Sequence, residues 1–217
     1  MRLSRVVLPD PRNPVSTVTG IRESFIALLA CIMIIIIIVP MIDEVNKPSQ
    51  LPPRRVFRYQ LNLGDKVAYT VGLPEACELV AFQKGIDEDI LLKLNNEIFF
   101  GHPEQGAWTM GKLHAKVNES LRSAADIQII LHQGYPVGYF WLKHHPRLDF
   151  ATCEIYVIGV LEKFREIGVG GFLVSEALKR MQVLGCERAW VYTDETNTRA
   201  RSLYQRFGFV LDFIEEL

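Results

Sequence analysis

Three glycines, Gly168, Gly170 and Gly171, stand between an apolar run, Ile155 to Val160, and a segment of helical period, Phe172 to Leu184. A strand therefore hands over to a helix there. Without Cβ atoms the backbone can lie close against a ligand. The first N–H groups of the helix have no carbonyl partner within it, and the helix dipole adds positive potential. The stretch reads as a site for a phosphate or pyrophosphate. Two familiar phosphate sites do not fit. No Gly-Lys-Ser/Thr follows, so the loop is not that of a nucleoside-triphosphatase. Leu173 stands where a dinucleotide fingerprint carries its third glycine.

The periodicity around this loop predicts the rest of the globular part. Residues 55–63 and 78–82 alternate as strands, and 87–99 has apolar residues at 90, 91, 94 and 98 with Asp87 placed to cap a helix. A weaker helix follows over 109–121. Strands over 127–131 and 137–143, with Gln133-Gly134 as the turn, make a hairpin. The loop strand is 152–160, the next helix 172–184, and then come a strand at 189–193, a short helix at 198–206 and a strand at 209–214. This is an α+β arrangement. A dinucleotide fold would begin with its glycine-loop strand; here a hairpin precedes it.

Lys plus Arg total 24 against 25 Asp plus Glu in 217 residues, so nothing draws the chain to nucleic acid. The four cysteines, Cys31, Cys77, Cys153 and Cys186, form no C-x-x-C pair, and the sequence indicates neither a zinc site nor a disulfide. A reducing compartment is expected. His144 and His145 resemble a metal pair but lack a third ligand at suitable spacing, so they read as polar surface and no metal is expected.

The first fifty residues differ. Residues 24–42 carry no charge, and at ~1.5 Å per residue they span ~28 Å, enough for a bilayer. They are a candidate transmembrane segment within a non-catalytic extension, 1–50. The alternative is a buried β-rich segment, which the isoleucine run favours. Arginines before it and basic residues after it leave the orientation open.

Arg165-x-x-Gly168-x-Gly170 resembles the pyrophosphate loop of the GNAT N-acetyltransferases. Asn197-x-x-Ala200-x-x-Leu203-Tyr204-x-x-Phe207-Gly208-Phe209 resembles their second signature. The resemblance implies the GNAT acyl-CoA N-acyltransferase fold over 79–217, an α/β/α sandwich on a mixed, mostly antiparallel sheet, and acetyl-CoA as co-substrate. It also implies that Tyr204 donates a proton to the CoA sulfur; taken alone, Tyr204 reads as a core aromatic like Phe207 and Phe209. A closer resemblance covers about 79 to 213. His102-Pro-Glu-Gln-Gly-Ala-Trp-Thr109, Phe140-Trp-Leu-Lys-His-His-Pro146, Glu154-Ile-Tyr-Val-Ile-Gly-Val160 and Tyr192-Thr-Asp-Glu-Thr-Asn197 together are similar to the C-terminal catalytic domain of the mycothiol acetyltransferase (mycothiol synthase) family.

That family acetylates the cysteinyl amine of a cysteine–glucosamine–inositol pseudodisaccharide. The resemblance implies that Glu104, Lys143, Glu154 and Tyr192 contact this small-molecule amine. Ile158, Gly159 and Val160 would hydrogen-bond the pantetheine through their backbone. Arg165, Glu166, Ile167, Gly168, Val169, Gly170 and Gly171 would hold the pyrophosphate. Asn197, Thr198, Arg199, Ala200, Arg201 and Ser202 would complete the CoA cleft. An amine must be neutral to attack, and Glu154 is the candidate base; its alternative is a solvated strand carboxylate. Lys143 reads alternatively as an edge-strand lysine.

These readings place the catalytic domain in the cytoplasm, with a candidate tether on the inner face of the membrane, as a monomer or homodimer. The alternatives are a GNAT acting on another amine and an inactive remnant. The family has two tandem GNAT-like domains. Here 51–78 reads as a linker with a remnant of the first, residues 54–63 resembling its last strand. A seventh strand after 209–214 is missing, which leaves an edge that is exposed or filled by a partner chain.

Overall fold

The computed structural model describes residues 54–64, 70–120, 126–145 and 151–217. The candidate membrane segment lies outside them. Among the described residues no helix is long and apolar enough to cross a membrane.

The strands are β1 (Arg55–Asn62), β2 (Cys77–Ala81), β3 (Ile127–His132), β4 (Tyr135–His145), β5 (Thr152–Val160), β6 (Arg188–Asp194) and β7 (Val210–Glu216). The helices are α1 (Glu88–Ile98), α2 (Met110–Ser120), α3 (Val169–Val183) and α4 (Thr198–Arg206), with a 3₁₀ segment, Glu162–Ile167, before α3. The strands form one sheet in the order β2-β3-β4-β5-β6-β1-β7. All neighbours are antiparallel except β5 and β6. At the hairpin, Gln133 and Gly134 both take positive φ, as a tight turn between twisted strands requires.

Strand alternation sorts the core onto two faces. On one, α3 and α4 contribute Val169, Leu173, Leu178 and Tyr204, packed with Phe57, Tyr59, Phe140, Leu142, Cys153 and Ile155. On the other, Leu91, Leu94, Leu113 and Val117 of α1 and α2 cover Ile127, Ile129, Tyr139, Trp141 and Val157. The result is a helix–sheet–helix sandwich, as the GNAT resemblance implies.

Three details depart from the sequence reading. Asp87 makes no side-chain cap; its carboxylate accepts from Gln83 N at 2.7 Å, a local donor that outcompetes the helix terminus. Helix α3 starts at Val169, three residues early, because Gly168 at φ 90° ends the 3₁₀ segment. The third concerns the expected gap beside the last strand. Residues 55–62 form a strand, as expected, but they lie between β6 and β7. Val56 faces Asp194 on one side and Glu215 on the other. The chain's own β1 therefore pairs one side of the last strand, where the missing seventh strand was expected, and the other side of β7 is an edge, as expected.

The sheet is not closed throughout. The parallel pairing of β5 and β6 runs from Thr152↔Arg188 to Ile155↔Val191 and ends there. Beyond it β5 continues to Val160 beside β4 alone, after a bulge at Tyr156 that shifts its register against Trp141 and Leu142. The two parallel strands part like the arms of a V. Gly159 sits on the open arm beneath α1. A Cβ there would lie 2.5 Å from Ile98 Cγ2 and 3.0 Å from Phe99 Cζ. Gly159→Ala is thus expected to lower stability by about 1–3 kcal/mol, the usual penalty of overpacking. Denaturant melting checks this; an unchanged midpoint would show that α1 does not press on β5.

Candidate active site

The open V gives the site its shape. On its β5 arm, Ile158, Gly159 and Val160 lead into the 3₁₀ segment and the start of α3. Arg165 Nε donates to the Val160 carbonyl at 3.1 Å, which holds the turn against the strand end. Gly168 is exposed, while Val169 is buried. A methyl group at Gly168 would meet nothing. At Gly170 it would meet Leu203 Cδ2 at 3.7 Å, and at Gly171 Val71 Cγ2 at 3.5 Å, both ordinary contacts. The chain's own packing thus does not demand glycine at 170 and 171.

The second signature forms the adjoining rim. The Asn197 side chain caps α4 by accepting from Ala200 N at 3.1 Å. Arg201 donates to Tyr59 Oη at 3.1 Å and to the Glu195 carbonyl at 2.8 Å, with its guanidinium over the Phe57 ring. Those two side chains build the helix start. Thr198, Arg199 and Ser202 are exposed, and Arg199 bridges to Glu166 at 2.6 Å, tying α4 to the glycine loop. Tyr204 lies in the core of the α3 face, ring to ring with Tyr59 and Phe209, and burial pushes its phenol well above the ordinary range.

Of the residues matched to the acceptor site, three gather on the opposite face. Lys143 and Glu154 are cross-strand partners, and Glu154 pairs in turn with Trp190, two residues before Tyr192. Lys143 lies on a central strand, not an edge. Its Nζ is 5.3 Å from the centroid of the Tyr156 ring and 3.8 Å from Glu119. Lys116 Nζ also bonds Tyr156 Oη. Burial raises the Tyr192 phenol; a bond from Arg58 opposes this and the Glu154 charge adds to it. Tyr192 therefore stays a neutral hydroxyl at ordinary pH. Because Glu154 and Tyr204 occupy opposite faces, they can serve one reaction only through the gap between β5 and β6.

Several contacts go beyond the sequence reading. His145 is not plain surface: its Nε2 lies 2.7 Å from Glu154 Oε2 and its ring packs on Trp190. A signal for it exists, since 143 and 145 share a face once β4 runs to His145. Around Glu104, the fourth matched residue, a charged network closes the loop after α1. Arg54 reaches Glu104 Oε1 at 2.8 Å and Asp194 Oδ1 at 2.5 Å, and His102 Nε2 lies 3.2 Å from Asp194 Oδ2. No sequence signal could join Arg54 to this group, because Arg54, just before β1, lies outside the matched motifs.

His144, read as surface, is nearly buried on the α3 face with its Nδ1 3.4 Å from Cys153 Sγ. Cys153 and Cys186, read as scattered, are joined by a disulfide. Their contact depends on the parallel pairing of β5 and β6, which a separation of 33 residues cannot reveal.

The network has a pH signature. Burial pushes the Asp194 carboxyl up, but the bonds from Arg54 and the His102 charge outweigh it and hold it below the usual range. A depressed native value means that the stabilisation is complete above the unfolded value, about 3.9, and is lost as pH falls through the native one. The Tm difference between the parent chain and Asp194→Asn should therefore shrink toward zero as pH falls below about 4. A difference independent of pH would deny Asp194 its charge role.

Residues 89–209 match the model of the acetyltransferase (GNAT) family. The chain is 35% identical over 170 residues to the mycothiol acetyltransferase of Pseudarthrobacter chlorophenolicus, covering 77% of this chain and 53% of that one. It spans about half the length of the curated relatives it matches. Among solved structures, a GCN5-related N-acetyltransferase from Sphaerobacter thermophilus superposes with a TM-score of 0.65 at 20% identity, over 76% of this chain and 50% of the other. Arabidopsis thaliana Naa50, solved with the bisubstrate analogue CoA-Ac-MVNAL, superposes with a TM-score of 0.51 at 18% identity, over 64% and 85%. These two likenesses concern the fold. With the family model spanning more than half of its residues and the open V, the glycine loop and the α4 rim in place, the chain belongs to the GNAT acetyltransferase family.

Proposed function

We propose that the chain is an acetyl-CoA-dependent N-acetyltransferase acting on a small-molecule primary amine, and that the amine is the cysteinyl amine of the cysteine–glucosamine–inositol precursor of mycothiol. The observation that carries the reading is the parting of β5 and β6 beyond Ile155, immediately before the glycine loop. Acetyl-CoA supplies the activated acetyl group.

The N–H groups at the start of α3 and the loop from Arg165 to Gly171 hold the pyrophosphate. The β5 backbone at Ile158, Gly159 and Val160 lies on the arm that β6 does not pair, and receives the pantetheine. The rim from Asn197 to Ser202 closes the cleft. Glu104, Lys143 and Tyr192 meet the hydroxyl-rich acceptor with carboxylate, ammonium and neutral phenol. Glu154, oriented by His145, takes the ammonium proton, directly or through a water. The neutral amine then forms the C–N bond as the C–S bond breaks; Tyr204 gives its proton to the departing sulfur and is reprotonated by the proton that the acylated nitrogen sheds, while Glu154 returns its own proton to solvent. The high position of the Tyr204 phenol keeps its proton in place until the sulfur departs.

A thermal-shift titration with CoA tests the cleft. At a hundredfold excess over Kd, binding to the folded chain alone is worth about 2.7 kcal/mol, and Tm rises accordingly. No shift would favour an inactive remnant. The acceptor is tested by following thiol release with the cysteinyl pseudodisaccharide and a panel of other amines. Turnover of the panel without the pseudodisaccharide would transfer the assignment to another amine.

A further inference from the structure

We propose that the reduced chain holds a thiophilic d¹⁰ cation, Zn²⁺ or Cu⁺, between Cys153, Cys186 and His144. Their donor atoms all lie within 4.8 Å of one another, on the face of the sheet opposite Glu154. His144 and Cys153 are direct cross-strand partners on β4 and β5, and Cys186 lies just before β6, so regular strands position all three. Donors bound to one zinc at about 2.0–2.3 Å sit about 3.5–4 Å apart, and small side-chain rotations reach that from this arrangement. Two thiolates and an imidazole are the soft set that selects such cations.

The second observation is what lies behind the imidazole. His144 Nδ1 faces the Cys153 sulfur, while its Nε2 faces Asp126 Oδ1 at 3.6 Å. Asp126 is completely buried. A disulfide needs neither group. A metal-bound imidazole uses an outer carboxylate to fix its tautomer and raise its basicity. In the structure the two sulfurs are joined. A low-molecular-weight thiol opens that bridge by thiol–disulfide exchange, giving two protein thiols and its own disulfide; binding the cation then releases the two thiol protons. The occupied site ties β4, β5 and the α3–β6 turn together where the V is closed.

The full chain, reduced anaerobically with a phosphine, is titrated with Co²⁺ as a zinc surrogate, with competing Zn²⁺, and separately with Cu⁺ against a colorimetric chelator. The expected result is one cation per chain, with a thiolate-to-cobalt charge-transfer band that Zn²⁺ abolishes or a single Cu⁺ drawn from the chelator. Cys153→Ser combined with Cys186→Ser abolishes it, and Cys77→Ser leaves it unchanged. Asp126→Asn keeps the stoichiometry of one and weakens affinity about 10–100-fold. No cation on a chain whose thiols are titratable overturns the proposal, as does a bridge that resists the reductant or binding that survives the double substitution. If the double variant does not fold, alkylation of the parent chain decides. Cys153 and Cys186 protected only with the cation present support the site, and equal alkylation with and without it overturns the site.

Discussion

Glu154→Gln is expected to lower kcat/KM for the acceptor by about 10²–10⁴-fold, the range for loss of a positioned general base. The substitution keeps the shape of the side chain and a hydrogen-bonding partner for His145 Nε2, which lies 2.7 Å from the carboxylate. The fold and the CoA cleft on the other side of the gap are left as they are. The CoA-induced Tm shift should therefore persist while turnover falls, and this separates a chemical role from a structural one. Glu154 is mostly enclosed, with only 12% of its side chain exposed, so it is not a solvated strand carboxylate. A loss below tenfold would remove it as the base and move attention to another group on that face.

The largest expected loss of stability comes from Trp141→Ala. Trp141 is fully buried at the centre of the core beneath α1 and α2, edge-on to Trp108 and to Tyr156. Truncating a buried tryptophan costs about 3–5 kcal/mol. In a chain of this size that lowers Tm by about 6–20 °C. The tryptophan belongs to the segment that resembles the acceptor-binding motif, yet its place is in the packing. It pairs with Val157 beside the β5 bulge and packs edge-on to Tyr156. Chemical denaturation with CoA present and absent would show equal destabilisation in both. A variant with native stability would mean that the core repacks around the hole.

The glycine loop, the element order and the second signature are legible in the sequence because each depends on local chemistry. Period 2 and period 3.6 mark strands and helices wherever one face is buried. A two-residue turn needs no distant partner, so Gln133-Gly134 reads directly as one. That Lys143 and Glu154 stand side by side, with Tyr192 on the same face, follows from alternation once the strands are paired. What stays hidden depends on long-range pairing. Nothing in the spacing of Arg54 predicts contact with Glu104 and Asp194, and nothing in that of Cys153 predicts Cys186. His145 escapes for a smaller reason. The sequence reading ends the strand at 143, ahead of a proline, whereas β4 runs two residues further to 145.

The seating of β1 also bears on how the molecule assembles. Val56 meets both Asp194 and Glu215, so a segment made early is fully paired only once β7 has been made. At about 5–20 residues per second a ribosome needs on the order of ten seconds to make the intervening stretch. Until β6 is made, Phe57 and Tyr59 have no strand to pair with. Such distant partnering slows folding, and the waiting segment is a natural target for a chaperone or for the vacant slot of a neighbouring nascent chain.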